Sequence, residues 1–285
     1  MKRPGAADLS QPGAPAGTVA AHRWRRRLLT LPLTAAAIAP FAWLSACSSE
    51  ALVRVPGTVF GAPAEVALWG LDQAAAETLA QQVWQQLTAL DQAWLQRDPP
   101  LLAQLAAPAG LATSWMPDLA LRGLALDRIA PLLQVPELQG SLLTLGQHLL
   151  ALGQRGFRDW HVGVPDPQDG LPLAHFDLYD SERLATVSSY ARYRPGAGQP
   201  LAPAPAGAAA CACCAVVLRG QGVLAARQAA ALYQAPQADW PAMARTLGAS
   251  QVLWVGRNGA LEATPLLARR LQLKDSRRKL TERAA

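Results

Sequence analysis

Histidine is scarce in this chain, with four in 285 residues. His22 lies in the N-terminal segment, and His148, His161 and His175 are scattered. That scarcity removes much hydrolase chemistry. A Ser-His-acid triad needs a base placed for a nucleophile, and Ser188 and Ser189 lack the nucleophile-elbow pattern around them. No P-loop occurs, and no full G-x-G-x-x-G occurs, so both fingerprints for phosphate cradling are missing. Cysteine is nearly confined to one run, "CACC", holding Cys211, Cys213 and Cys214, with Cys47 apart. A metal site there would want a fourth ligand at suitable spacing, and none is placed for it. A disulfide stays open for an exported chain. The favoured reading of "CACCAVVL" is a buried small-residue strand in which cysteine packs as a small apolar residue. The body also lacks any run resembling a membrane-spanning helix.

Positive charge is present, but not where a polyanion would need it. The formal net charge is +6. Residues 1–46 contribute +5 and residues 266–285 another +5, so the body between them carries −4. An acidic body has no general attraction for nucleic acid.

The basic N-terminus has its own explanation. "HRWRRRLLTLPLTAAAIAPFAWLSAC" joins a basic region, a short apolar stretch broken by Pro32 and Pro40, and a small-residue site, the layout of a signal peptide. "LSAC", Leu44 to Cys47, matches the bacterial lipobox, so Cys47 is the expected lipidation site. Ser48 in place of Asp after it points to the outer membrane of a Gram-negative cell, with the protein on the periplasmic face. "RRRLLT" resembles a twin-arginine signal, and Sec and Tat export both stay open. The organisation expected is therefore a signal peptide over 1–46, a tether over 47–55, a domain over 56–270 and a basic C-terminal tail over 271–285.

Within the domain the elements alternate. Residues 52–69 read as strand, turn, strand. Leu79, Val83, Leu87, Leu90 and Trp94 recur at steps of three and four and predict a long amphipathic helix. Residues 98–118 read as irregular, and "DLALRGLALDRIAPLLQ" as a helix with Pro131 near its end. Five strands are expected over 140–190, and a flexible Pro/Ala loop over 194–210. Then come the cysteine strand, the helix "GVLAARQAAALYQ", a second short helix, and a hairpin whose Asn258-Gly259 pair predicts a type I′ turn. A basic amphipathic helix is expected to close the chain. Asp166 and Asp169 in "VPDPQDG" read as a surface turn rather than paired catalytic carboxylates, and "SYARYR" as a strand edge rather than a phosphate grip. The pattern predicts a single α/β (α+β) domain.

The order of these elements carries a resemblance. A lipobox precedes "GTVFGAPAEVALWG", a long helix, "DLALRGLALD", "TLGQH", "FRDWHVGVPDP", "VSSYARY", a small-residue strand and an alanine-rich helix. This series resembles the ApbE family, the FAD:protein FMN transferases. The resemblance implies a mixed sheet with packed helices. It also implies magnesium-dependent transfer of FMN from FAD to a Thr or Ser of a target flavoprotein.

Carried over residue by residue, it assigns Arg122, Gly123 and Asp127 to the family's lysine-glycine segment, with Arg122 in the lysine's place. Gly146 keeps one glycine of the turn "N-x-G-G-[DE]", while Gln147 and His148 replace the second glycine and the acid. Ser188 and Tyr190 match "T-S-G-x-Y". The family's metal-ligating Asp and Thr correspond to Ala226 and Ala230. Magnesium wants hard oxygen ligands, which a methyl group does not offer.

FAD and magnesium are thus implied by resemblance alone. The favoured expectation is a degenerate member, a lipid-anchored pseudoenzyme that serves as a scaffold or binds a periplasmic flavoprotein or an active paralogue. An active transferase and an unrelated periplasmic lipoprotein are the alternatives.

Overall fold

The computed structural model describes residues 52–106, 117–167, 171–188, 211–275 and 278–284. The expected signal peptide, Cys47, Asp169, Tyr190 and the 194–210 loop lie outside the described residues. Among the described residues no helix is long and apolar enough to cross a membrane.

Two β-strands open the fold, β1 (Val53–Val59) and β2 (Ala62–Trp69), paired antiparallel. β1 starts inside the segment read as tether. Phe60 and Gly61 between the strands both take positive φ (52° and 64°), the geometry of a two-residue type I′ hairpin turn. Helix α1 (Gln73–Leu95) follows, capped by Asp72, whose side chain accepts from the Ala75 N–H at 2.8 Å. Its stripe of Leu79, Val83, Leu87 and Leu90 is buried as the spacing predicts. The stretch read as irregular contains a helix, α2 (Pro99–Leu105). α3 (Pro117–Ile129) runs into a 3-10 turn, Ala130–Leu133, where Pro131 ends the regular helix.

The five expected strands all form: β3 (Gly140–Leu145), β4 (His148–Gly153), β5 (Trp160–Pro165), β6 (Pro172–Leu178) and β7 (Glu182–Ser188). The cysteine strand is β8 (Cys211–Arg219), with all three thiols fully buried and free. α4 (Gly222–Gln234), α5 (Trp240–Leu247), β9 (Val252–Gly256) and β10 (Leu261–Ala263) follow in the expected order.

Two expectations near the C-terminus fail. The β9–β10 turn is not type I′, because Asn258 keeps a negative φ and only Gly259 is left-handed, at +79°. Gly259 N–H donates to the Gly256 carbonyl, and the Asn258 side chain accepts from the Ala260 N–H at 3.1 Å. The asparagine spends its side chain on a local bond instead of its backbone on the turn. Among the described residues no closing amphipathic helix forms either. α6 spans only Pro265–Ala268, and the chain continues into β11 (Gln272–Leu273) and β12 (Leu280–Glu282).

Nine strands make one mixed sheet in the order β1-β2-β3-β4-β7-β8-β9-β10-β12, antiparallel except for β10–β12. β11, β6 and β5 form a second sheet. The result is three layers. On one face of the large sheet Leu143, Leu150 and Leu152 pack with residues of α1 and α3, and Ala185, Val216 and Trp254 with α4 and α5. On the other face Leu184, Cys213, Ala215 and Val217 pack against Trp160, Val162 and Phe176 of the small sheet. In the helical layer, Trp240 and Trp254 stack at 5.5 Å with rings 4° from parallel.

Arg278 and Arg283 of the expected basic tail, and Arg270 just before it, act as rivets. Arg270 pairs with the buried Glu182 at 2.6 Å, Arg278 with Asp166 at 2.8 Å and Arg283 with Glu262 at 3.0 Å. Asp166 is accordingly buried, not displayed on a surface turn.

Candidate functional site

Chain direction decides which ends meet. β3, β4, β7 and β8 bring the Gly146-Gln147 turn, Ser188 and Cys211 to the same end of the large sheet as the Phe60-Gly61 turn. β8 then runs away from this hairpin end, and α4 turns back across the sheet. The residues assigned by resemblance divide between the two ends.

At the hairpin end stand Arg122, Gly146 and His148. Arg122 reaches from α3 under both turns, and its Nη2 donates to the Phe60 carbonyl at 3.3 Å. Gly146 takes a left-handed φ of 63°, and its N–H donates to the Pro63 carbonyl at 2.9 Å. A Cβ at Gly146 would come within 2.9 Å of Arg122 Nη1. The close approach that this glycine permits is therefore taken by the protein's own guanidinium. Burial lowers the Arg122 pKa from its ordinary value, opposed by the nearby Asp118 carboxylate.

His148 is fully buried, and neither ring nitrogen has a hydrogen-bond partner. Burial first, and the positive Arg122 second, push its pKa down to about 3. It is a neutral imidazole at physiological pH. Arg122 Nε is also buried without a partner.

Ser188 does not join this group. It lies on β7 three residues beyond Ala185, the partner of His148. Its side chain hydrogen-bonds Cys213, which belongs to the core beneath the small sheet, on the far face from α3.

Gly123 and Asp127 are engaged elsewhere. A Cβ at Gly123 would lie 2.4 Å from the Gly222 carbonyl oxygen, and one at Gly222 would lie 2.5 Å from the Gly123 oxygen. The two helices touch through backbone, which only paired glycines allow. Asp127 closes the joint. Its carboxylate accepts from the N–H groups of Gly222 (2.7 Å) and Val223 (3.0 Å) and from Arg183 Nε (3.2 Å). A negative group on the first N–H groups of α4 satisfies orphan donors and complements the helix dipole. Gly222 and Arg183 were not singled out from the sequence, because each meets Asp127 across a long chain separation.

Ala226 and Ala230 are 0% and 1% exposed, packed in an apolar cluster with Leu119, Cys214, Tyr233 and Trp254. Two buried methyl groups supply no donor for a cation, so these residues do not fit magnesium. Among the described residues no group of three or more His, Cys, Asp or Glu side chains is arranged to hold a metal ion. Burial pushes the Cys211 thiol up to about 12 and the Cys213 and Cys214 thiols well above their ordinary value. They are packing residues rather than nucleophiles. The one charge of α4, Arg227, turns outward and donates to the carbonyls of Gln104, Leu105 and Ala106, where α2 ends.

Against known proteins, no family model matches the chain. An FAD:protein FMN transferase of Rhodobacter capsulatus is 30% identical over 155 residues. That match covers 53% of this chain and 30% of the relative, so the chain spans about a third of the length of that curated relative. The fold is that of solved flavinyl transferases. The apo form of Pseudomonas stutzeri ApbE superposes with a TM-score of 0.53 at 15% identity, covering 78% of this chain and 98% of that one. The ApbE protein of Thermotoga maritima gives 0.57 at 13% identity, with 76% and 98% covered. The flavin transferase ApbE of Vibrio cholerae gives 0.55 at 12%, with 78% and 99% covered. Sequence and fold together show that this chain has the fold of the ApbE flavinyl transferases and resembles part of one FAD:protein FMN transferase.

Proposed function

We propose that this chain is an exported, lipid-anchored member of the family that keeps the scaffold without the magnesium-dependent transfer of FMN. It acts on the periplasmic face of the membrane as a docking partner for a flavoprotein or for an active family member. The observation that supports this reading is the pair Ala226 and Ala230. Splitting the pyrophosphate of FAD builds charge on the transferred phosphoryl group, which bound magnesium neutralises when it is held by oxygen ligands. The corresponding positions here are methyl groups inside an apolar cluster. The hairpin end adds support, since Arg122 fills the approach that Gly146 leaves open.

The test is direct. Purified chain, FAD, magnesium and a target flavoprotein are incubated, and the target is run on a denaturing gel under ultraviolet light. No fluorescent band is expected, while co-purification of the target with the chain is expected. A covalent flavin band on the target would overturn the proposal in favour of an active transferase.

A further inference from the structure

A polar cavity of about 260 Å³ lies at the sheet end opposite the hairpins. It sits between the segment after the 3-10 turn (Gln134, Leu138), the β3–β4 ladder (Ser141, Leu152) and the turn before β7 (Asp180, Ser181). Nothing in the proposed function uses it.

Three features give it a chemistry. Ser141 lines the cavity and is fully buried, and its Oγ has no hydrogen-bond partner. A buried hydroxyl left unpaired is costly, and an arriving partner recovers that cost. Asp180 stands exposed at the mouth. Its Oδ1 accepts from the Gly153 N–H at 2.7 Å and its Oδ2 from Ser181 Oγ at 3.1 Å. Each carboxylate oxygen keeps capacity for another donor. None of the ion pairs among the described residues uses Asp180. Finally, no lysine, arginine or histidine lines the cavity. A lone carboxylate over a neutral polar floor selects a cation with hydrogen-bond donors and rejects an anion.

We propose that this cavity binds a small primary amine that carries a hydroxyl group. The ammonium donates to Asp180 at the mouth, and the hydroxyl pairs with Ser141 Oγ on the floor. The volume suits a ligand of only a few heavy atoms, below the usual range for drug-sized pockets.

Ethanolamine is the probe, titrated calorimetrically into the purified full chain, with acetate and ethylene glycol as parallel arms. Saturable heat is expected with ethanolamine and none with acetate. Asp180→Asn keeps an oxygen for the Gly153 N–H and is expected to weaken binding about tenfold, by loss of a charge-assisted bond. Ser141→Ala is expected to weaken it about threefold. Amide NMR shifts at Gly153 and Ser181 on titration locate the site independently of either variant. No saturable heat with ethanolamine, equal binding of acetate, or shifts elsewhere in the protein would each overturn the proposal. So would variants that are folded by circular dichroism and bind as tightly as the parent chain.

Discussion

The joint at Asp127 and the cluster at Arg122 lie two helical turns or less apart on α3, yet their polar groups are treated in opposite ways. At Asp127 every charge is answered. The carboxylate takes two backbone N–H groups and a buried arginine, and paired glycines let the helices touch. At the hairpin end an arginine nitrogen and both nitrogens of a histidine are buried with no partner. Buried polar groups are nearly always hydrogen-bonded. The contrast separates what a scaffold requires from what a site requires. Gly123 and Asp127 both serve the α3–α4 crossing, one by close backbone approach and the other by capping α4. Among the polar groups facing the hairpins, Arg122 Nε and both His148 nitrogens make no such bond.

The contrast can be broken from either side. The largest effect is expected from Ala226→Asp, which would put an unpaired carboxylate into a fully buried apolar cluster. A loss of about 4 kcal/mol is expected in urea denaturation. The double variant Ala226→Asp/Ala230→Thr is expected to regain stability when magnesium is added. The absence of any magnesium response would mean that these residues do not occupy a former metal position.

Asp127→Ala should cost about 3 kcal/mol, because it strands Arg183, whose side chain is only 7% exposed, and uncaps α4. A loss well below 1 kcal/mol would show that the joint is not what holds the crossing.

His148 supplies the pH dependence. Its folded pKa, about 3, lies below the ordinary value of 6.5, so the unfolded chain takes up a proton that the folded chain refuses. Its contribution is fully present above pH 6.5 and is lost as pH falls toward 3, at up to ~1.4 kcal/mol per pH unit. His148→Gln should flatten that slope in denaturation curves taken across the range. An unchanged slope would mean that His148 finds a partner in solution.

The smallest effect is expected from Arg227→Met, which keeps the stem and removes the donors to three carbonyls at the end of α2. About 1 kcal/mol should be lost, because this guanidinium is only partly withdrawn from water. Circular dichroism melts would read it.

Much of the fold was legible because local pattern and tertiary outcome agree. The stripe from Leu79 to Leu90 and the small-residue strand at the cysteines formed as read. Failures came where a local signal was outbid. Asn258-Gly259 carries the strongest short hairpin signal, yet the type I′ turn forms at Phe60-Gly61, where φ is positive at a phenylalanine. The C-terminal basic residues look like one face of a helix, but Glu182, Asp166 and Glu262 recruit them singly across the sheets. The site divided for a similar reason. A motif gives the order of residues but not the strand face, and period-two alternation turns Ser188 away from the helical layer.

Those C-terminal ion pairs have a consequence for how the molecule behaves in bulk. Residues 47–285 hold 20 basic and 19 acidic side chains, so a chain without its first 46 residues is almost isoelectric at neutral pH. The last twenty residues act as built-in counter-ions for an acidic body. With so little net charge there is little colloidal repulsion between copies. Cutting the chain after Ala268 would return the body to a net −4 and remove the arginine partners of Glu182, Asp166 and Glu262. The shortened protein would migrate as an anion, and it would depend on added salt for the neutralisation that the intact chain carries within itself.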